Sequence, residues 1–428
     1  MGSRTNAGGD GASNIKRTVR AGTAVLAAIL ITASTWAASG AAERTDQDKR
    51  PRVFSLPAGS LQKLRREDAI EKKKEPALAR LERDANAALE AEPTSVMDKD
   101  ITPPSGDKHD YMSMGPYWWP DPLKSNGLPY IRRDGEVNPE TAKLPDHRNI
   151  QKLMSEAHTL ALAYYVFGEE RYAAKATQLL HAWFLDPQTR MNPNLNFGQA
   201  IPGRVQGRGT GLIDTRFFYR LVDAVGLLDG SKSWTADDQR GMEKWCSQFL
   251  DWLRESKNGQ DESRAKNNHG SYYDVQAASL ALFTGRTDVA TDLLQSVPKG
   301  RIALQIEPDG RQPLELARTK ALGYSTMNLA GLFEMATLAE NVGVNLWDYR
   351  TPDGRSLRAA LDYLIPFVSG ERKWPYQQIS EYNPEEIAPL LAVASVKYHE
   401  PTYLDLARKV DPEVTDRIEA FLLLREQR

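Results

Sequence analysis

Cysteine is nearly absent from this sequence, because Cys246 is the only one among 428 residues. A single thiol cannot form an internal disulfide, so the packed core alone must hold the fold together. The thiolate pairs of structural zinc sites are excluded as well, and the six histidines show no metal-ligand spacing. The sequence therefore predicts neither a metal nor a cofactor, and it predicts that Cys246 fills apolar space beside Trp245 and Phe249.

A strong charge of either sign is also lacking. The 55 Lys and Arg residues nearly balance the 57 Asp and Glu residues, which gives a net charge of −2. Such a chain does not attract polyanions through its overall field, so nucleic acid is excluded as the expected partner. An acidic ligand would have to be held by a local cluster of cations.

Only one long apolar run occurs, and it lies near the start of the chain. Three basic residues precede residues 24–38, and the small residues 39–42 follow them. This order is typical of an export signal, which predicts a signal peptide over 1–42, with an uncleaved anchor as the alternative. Its removal takes away four basic residues and one acidic residue and changes the net charge from −2 to −5. Export without disulfides favours a bacterial periplasm or exterior, with no membrane contact after cleavage.

Strand periodicity is weak throughout, whereas apolar residues recur at helical steps. Residues 43–98 read as a lead-in followed by helices, with a helix break at Glu75-Pro76. Residues 99–428 open with a loop rich in Pro, Gly and aromatic residues, and then continue as helices to the end. Pairs of helices are punctuated near Gly168, Gly285 and Tyr398, which indicates repeated helical hairpins. The predicted fold is all-α, an α/α toroid, with an oligomeric state that the sequence leaves open.

Two segments combine polar groups suited to acid–base chemistry. Asn267, Asn268 and His269 precede a predicted helix, where an Asn could alternatively serve only as the N-cap. Arg318 and Tyr324 lie six residues apart, and they would converge if the chain bends near Gly323. The alternative for this second segment is a surface ion pair between Glu315 and Arg318, with a half-buried tyrosine.

Two further segments are suited to binding. Residues 111–122 include Tyr117 and Trp118, whose flat rings fit the C–H faces of sugars, or else plug the toroid. Residues 190–211 are rich in glycine and carry Gln199, Arg204 and Arg208, yet they lack the GK[ST] ending of a phosphate loop. They predict a cleft lining whose arginines meet carboxylates, with an ordinary flexible loop as the alternative.

Taken together, these four segments resemble the alginate lyase family of polysaccharide lyases from Tyr111 to Pro366. The most specific parts are residues 117–120, 267–269 and 313–325. The resemblance implies an α/α toroid or incomplete barrel and a secreted enzyme that cleaves 4-linked uronate polymers, such as alginate or polymannuronate, by β-elimination. The catalytic residues it implies are Asn268, His269, Arg318 and Tyr324. The substrate-binding residues expected around them are Tyr117, Trp118, Gln199, Arg208, Asn267 and Lys320.

The chemistry of this reaction explains the residue types. A uronate lyase removes the C5 proton and expels the C4 oxygen, so the sugar carboxylate must first be neutralised, by Asn268 and Arg318. Tyr324 is then the leading candidate for both base and acid. His269 either acts as the base or holds the carboxylate and tunes Tyr324. For Tyr324 to act as a base near neutral pH, Arg318 or Lys320 would have to lower its pKa.

Stereochemistry separates the possible polymers. In mannuronate and glucuronate the proton and the oxygen leave from the same side, so one tyrosine could serve both steps. In guluronate they leave from opposite sides, and two groups are needed. Glucuronan cleavage by the same mechanism is therefore an alternative, as are a glycoside hydrolase with two opposed carboxylates and a non-catalytic uronate-binding protein on a similar toroid.

Overall fold

A computed structural model describes residues 50–72 and 74–426, and most of them lie in helices. The predicted signal peptide, residues 1–42, lies outside the described residues. The helices are α1 (Ala58–Arg65), α2 (Ala69–Lys72), α3 (Pro76–Leu89), α4 (Asp146–Phe167), α5 (Glu170–Leu180), α6 (Phe218–Leu227), α7 (Ala236–Glu255), α8 (Lys257–Ser263), α9 (Asn268–Phe283), α10 (Thr287–Val297), α11 (Ala303–Gln305), α12 (Pro313–Leu316), α13 (Ala321–Glu340), α14 (Leu357–Val368), α15 (Ala388–Lys397), α16 (Pro401–Val410) and α17 (Ile418–Arg425). Short 3₁₀ or π turns lie at Val96–Asp98, Pro139–Lys143, His181–Leu185, Gly209–Thr215, Pro298–Ile302, Pro384–Glu386 and Val414–Asp416.

The three predicted hairpins are present. Helices α4 and α5 meet at Gly168, helices α9 and α10 at Gly285, and helices α15 and α16 at His399. All three turn residues have left-handed backbone conformation, with φ of 74°, 73° and 53°. Glycine reaches this region without steric cost, which explains two of the three turns. The helix break at Pro76 is also confirmed, since α3 begins at that proline.

The hairpins form an incomplete α/α toroid, as predicted. Along the inner ring α4 packs against α6, α6 against α9, and α9 against α13, while α5, α7 and α10 pack outside them. Every residue of α9 is buried except His269. The outer helix α7 instead buries one face, which includes Cys246, and burial raises the pKa of that thiol. The apolar filler role predicted for Cys246 is therefore confirmed.

Two small sheets fix the aromatic loop on the toroid. Strand β1 (Met112–Met114) pairs in parallel with β4 (Phe197–Ala200). Strand β2 (Trp118–Trp119) pairs in antiparallel fashion with β3 (Ile131–Arg132). These pairings bring the aromatic segment of 111–122 and the glycine-rich segment of 190–211 side by side.

The chain from Arg50 onward is one compact unit. Leu61, Leu64, Leu78 and Leu81 of α1 and α3 belong to the same hydrophobic core as the later helices. The division between 43–98 and 99–428 marks a change of composition, and as a domain boundary it stays a prediction. Among the described residues, none of the helices combines the length and the apolar character needed to cross a bilayer.

A buried ion pair anchors the long loop to the toroid. Lys99 Nζ lies 3.0 Å from Asp146 Oδ2, and neither side chain is exposed. The same carboxylate accepts the backbone N–H of Met112 at 2.9 Å, at the start of β1. Burial lowers the pKa of Lys99 and raises that of Asp146 to about 6. The pair thus joins both ends of the loop at the N-terminus of α4.

We expect Lys99→Ala to destabilise the fold by about 3 kcal/mol, because it leaves the Asp146 carboxyl buried without its cation. Urea unfolding followed by circular dichroism measures this change. Lys74→Ala is the matched control, since the Lys74–Glu71 pair is exposed and its loss should cost no more than about 0.5 kcal/mol. Equal effects of the two variants would contradict the anchoring role of Lys99.

Candidate active site

The N-terminus of the inner helix α9 is capped by a carboxylate from a distant segment. Asn267 occupies the N-cap position, but its side chain makes no capping hydrogen bond, so the simple capping alternative is wrong. Glu315 takes that part instead and accepts the Asn268 backbone N–H at 2.7 Å. It also accepts the Asn268 side-chain amide at 2.8 and 3.0 Å. Burial raises the pKa of Glu315, whereas Asn268, Arg318 and His269 act in the opposite direction.

These bonds change the expected role of Asn268. Its amide nitrogen was predicted to donate to a sugar carboxylate, but in the structure that nitrogen donates to Glu315. The side-chain oxygen of Asn268 is therefore the atom left to accept a hydrogen bond, for example from a hydroxyl group.

His269 is held by a second buried carboxylate. Its Nδ1 lies 2.6 Å from Glu262 Oε1, and Glu262 is only 2% exposed. A carboxylate accepts, so we assign the proton to Nδ1, which leaves the lone pair on Nε2. The His269 side chain retains 20% exposure. This arrangement suits a general base.

The turn between α8 and α9 is compact enough to bring Glu262 against His269. Arg301 donates to the carbonyls of Ser263 and Ala265 and pairs with Asp274 at 2.6 Å. A Cβ on Gly270 would lie 2.0 Å from the Ala265 carbonyl oxygen and 2.5 Å from Arg301 Nη1. Only glycine fits at that position, which explains the residue that follows His269.

Arg318 and Tyr324 converge, although not by the predicted route. The chain breaks between α12 and α13, at Arg318 to Lys320, and not at Gly323. The Arg318 guanidinium consequently lies 3.7 Å from the centre of the Tyr324 ring. The predicted surface pair of Arg318 with Glu315 is also wrong, because Asp134 binds Arg318 Nε at 3.0 Å and Nη2 at 2.8 Å. Nη1 is left free of Asp134 and available to an acidic ligand.

Asp134 forms a strong ion pair with Arg318. Burial by itself would raise the pKa of Asp134, but hydrogen bonds from Arg318, Thr319 and Arg132 hold it well below its usual range. Burial lowers the pKa of Arg318, but the hydrogen bond to Asp134 and the charges of Tyr324, Asp134 and Glu315 together raise it by more. Both groups are therefore charged at neutral pH.

The Tyr324 phenol departs from the sequence-based expectation. Arg318 does lower its pKa, but burial and the neighbouring Tyr117 raise it by more, so the net shift is upward. The two phenol oxygens, of Tyr117 and Tyr324, are 2.6 Å apart. Tyr324 consequently keeps its proton at neutral pH, which suits an acid and not a base.

A buried polar network fixes α13 against α9 beneath these groups. Ser271 donates to Asn328 at 2.8 Å, and Asn328 donates to Gln312 at 2.8 Å. Gln312 in turn donates to the Ser325 carbonyl at 3.0 Å. A buried hydrogen-bond network of this kind restricts the movement of the elements that it joins. The network therefore sets the position of the Tyr324 helix relative to the Asn268–His269 end of α9.

Trp118 lies beside two arginines. We refer to these three residues, together with Asn268, His269, Arg318 and Tyr324, as the groove. The guanidinium carbons of Arg204 and Arg208 lie 5.2 and 5.8 Å from the Trp118 ring centre. Gln199 is 7% exposed, and its amide accepts from Arg208 at 2.8 Å and donates to Asp214 at 3.0 Å. Gln199 also has a φ of 48°, which is strained for a residue with a side chain. In this structure it orients Arg208.

Lys320, the remaining predicted substrate-binding residue, lies farther from the centre of the site. Lys320 pairs through its backbone with Gln378, and its side chain passes Gly135. Glu315 is hydrogen-bonded to Asn268, and the charges of Arg318 and His269 lower its pKa, so these three residues lie around one carboxylate. Tyr324 lies against Arg318. Tyr117 and Trp118, as neighbours in sequence, connect the Tyr324 side of the groove with Arg208.

Sequence reasoning missed Glu262 and Asp134. Glu262 lies seven residues before His269, a spacing that is ambiguous because a helix break intervenes. Asp134 precedes Gly135 and reads only as a turn. Among the described residues, no three or more His, Cys, Asp or Glu side chains are grouped to hold a metal ion.

Comparison with known proteins gives one family. Residues 95–374 match the alginate lyase family. Among solved structures, an alginate lyase from Bacteroides ovatus is 44% identical, over 87% of this chain and 99% of that one, with a TM-score of 0.82. Alginate lyase A1-III from Sphingomonas species A1 is 14% identical over 80% of this chain and 93% of that one, with a TM-score of 0.44. None of the curated proteins shows a significant match.

Proposed function

The chain is a polysaccharide lyase and belongs to the alginate lyase family, and we propose that it cleaves 4-linked uronate polymers of the alginate type by β-elimination. The reaction would take place where Asn268, His269, Arg318 and Tyr324 meet. The observations that carry this proposal are the pairing of a buried carboxylate with His269 and the stacking of the Arg318 guanidinium on the Tyr324 ring.

Arg318 is the group suited to neutralise the sugar carboxylate. Asp134 engages two of its three nitrogens, so the guanidinium is fixed in place, and Nη1 makes no bond to Asp134. One well-placed donor to the developing enolate charge lowers the barrier by about 3–4 kcal/mol.

His269, which is paired with Glu262, and Tyr324, which lies under Arg318, carry out the two proton transfers. His269 Nε2 takes the C5 proton, and the electron pair forms the C4–C5 double bond. The bond between C4 and its oxygen breaks, and the Tyr324 phenol gives its proton to the departing oxygen. The proton then returns from His269 to Tyr324 as the products leave. Glu262 stabilises the positive charge that His269 carries in between.

A hydrolytic mechanism finds less support at this site. Such an enzyme needs two opposed carboxyl groups that are free to act on the sugar. Asp274 is paired with Arg301, and Asp214 accepts from Tyr111, Ser113 and Gln199. Glu307 and Asp309 are both bound to Arg311.

A substrate panel tests the proposed function. The purified protein is incubated with polymannuronate, polyguluronate, glucuronan and a glycosaminoglycan, and the products are followed by ultraviolet absorbance and mass spectrometry. We expect unsaturated uronate ends from polymannuronate. Saturated products, or no product from any of the four polymers, would contradict it. Mannuronate and glucuronate differ only at C2. A preference for glucuronan over polymannuronate would therefore assign the specificity to contacts with the C2 hydroxyl.

Replacing Glu262 by Gln is expected to lower kcat by about 100-fold. A glutamine can donate its amide to Nδ1, which shifts the proton to Nε2 and removes the lone pair that accepts the C5 proton. The measurement is kcat on polymannuronate, with Glu71→Gln on α2 as the exposed-carboxylate control. Unchanged kcat in the Glu262 variant would show that His269 does not act as the base.

Export is part of the proposal and rests on residues 1–42 alone. We expect the mature protein to begin near residue 42 or 43 when it is expressed with its own leader in a bacterium. N-terminal sequencing of the protein in the periplasmic and medium fractions checks this. An intact N-terminus in the membrane fraction would favour the anchor alternative.

A further inference from the structure

Four aromatic rings lie together outside the candidate site, on α14 and the loop that follows it. They are Tyr363, Phe367, Trp374 and Tyr376, and we refer to them as the aromatic platform. The rings of Tyr363 and Phe367 are 5.5 Å apart, those of Phe367 and Trp374 4.9 Å, and those of Trp374 and Tyr376 5.2 Å. All four are partly exposed, and Tyr363 and Trp374 also pack against the edge of the hydrophobic core.

The loop that carries the platform is attached to the catalytic segment. Ala321 N–H donates to the Gln377 carbonyl at 3.1 Å, and Ile379 N–H donates to the Thr319 carbonyl at 2.9 Å. Tyr376 immediately precedes Gln377, and Tyr324 follows Ala321 by one helical turn. The loop that carries the platform is therefore hydrogen-bonded to the segment that carries Arg318 and Tyr324.

The charge around the platform suits an acidic sugar chain. Arg372 is exposed, and its guanidinium lies 5.5 Å from the Phe367 ring centre. Lys373, also exposed, comes next in the sequence. Arg311 shares a hydrogen bond with Tyr376, which holds that ring in place. Rings that contact sugar C–H faces beside guanidinium groups that bind carboxylates are the combination a polyuronate requires.

We propose that the aromatic platform is a distal subsite that binds uronate units of the polymer beyond those in the catalytic groove. This inference rests on the proposed function, because it takes the same polymer as the occupant. The platform contributes to the affinity for long chains and leaves the chemical step to the groove. Short oligouronates that do not reach Tyr376 gain nothing from it.

The test compares chain lengths in a variant with Tyr376→Ala and Arg372→Ala together. We expect its kcat/KM on polymannuronate to fall about tenfold, the loss of one ring contact and one carboxylate contact, with kcat within about twofold of the unaltered protein. On the shortest oligomannuronate that is cleaved, both constants should stay unchanged. Arg408 is an exposed arginine on α16, and Arg408→Ala is the matched control. It should leave kcat and kcat/KM unchanged on both substrates.

Because Tyr376 also contacts Arg311, the exposed single change Arg372→Glu serves as a second variant that leaves the rings intact. It should weaken polymer binding in the same direction. An equal loss at every chain length, or no loss in either variant, would overturn the platform. If the unaltered protein makes no unsaturated product, the proposed function fails separately. The platform is then judged by affinity electrophoresis in alginate gels, where equal retardation of the unaltered and double-variant proteins overturns it.

Discussion

Replacing Tyr324 by Phe is expected to lower kcat by about 10²- to 10⁴-fold on every polymer that the protein cleaves. The phenol is the group that protonates the departing C4 oxygen, and phenylalanine keeps the ring under Arg318 while removing the proton. The pKa of Tyr324 is raised by burial and by Tyr117, so the proton is retained at neutral pH and remains as the pH rises above the usual value of about 10. The measurement is the initial rate of unsaturated product formation.

Tyr117→Phe is the matched control for Tyr324→Phe. Its hydroxyl lies 2.6 Å from that of Tyr324, so the variant removes a neighbour of the acid while it leaves the acid itself. We expect a loss of no more than about tenfold, the effect of one hydrogen bond. If Tyr117→Phe were as inactive as Tyr324→Phe while both kept the thermal midpoint of the unaltered protein, Tyr324 could not be the sole acid.

Replacing His269 by Ala is expected to produce a loss of similar size, about 10²- to 10⁴-fold, on polymannuronate and polyguluronate alike. Because Tyr324 holds its proton, it cannot accept the C5 proton at neutral pH, and the base must be another group. His269 has a free lone pair on Nε2 and a buried carboxylate on its other nitrogen. Rates on the two polymers are measured side by side.

The comparison of the two polymers decides between one catalytic group and two. Activity of His269→Ala that persisted on polymannuronate and vanished on polyguluronate would mean that Tyr324 serves as both acid and base when the leaving groups share one side. His181→Ala is the control, because that histidine also pairs with a carboxylate, Asp238 at 2.8 Å, but lies away from the groove.

Much of the fold follows from local sequence signals. The helical hairpins could be predicted because the apolar steps and the punctuation at Gly168 and Gly285 act within a few residues. The break at Pro76 follows from the missing backbone donor of proline. The closure of the hairpins into an incomplete toroid is what the resemblance to the alginate lyase family implies. The repeat of the hairpins in the sequence supported it only weakly.

The contacts that tune the site could not be predicted in the same way. Asp134 reaches Arg318 across 184 positions, and Glu315 reaches Asn268 across 47. Such pairs depend on how the hairpins pack, and a single sequence carries no record of that. Burial of Tyr324 is likewise a tertiary property, and it raises the pKa that would have to be lowered for the phenol to act as a base.

A crystal structure of the Tyr324→Phe protein with a bound oligomannuronate tests the central claim most directly. We expect one uronate carboxylate within hydrogen-bond distance of Arg318, with C5 of that sugar facing Nε2 of His269 and a neighbouring sugar against Trp118. The competing location is a cavity of about 700 Å³ elsewhere in the toroid, lined in part by Tyr219, Arg220 and Glu334. An oligomer bound there, with the groove empty, would contradict the account.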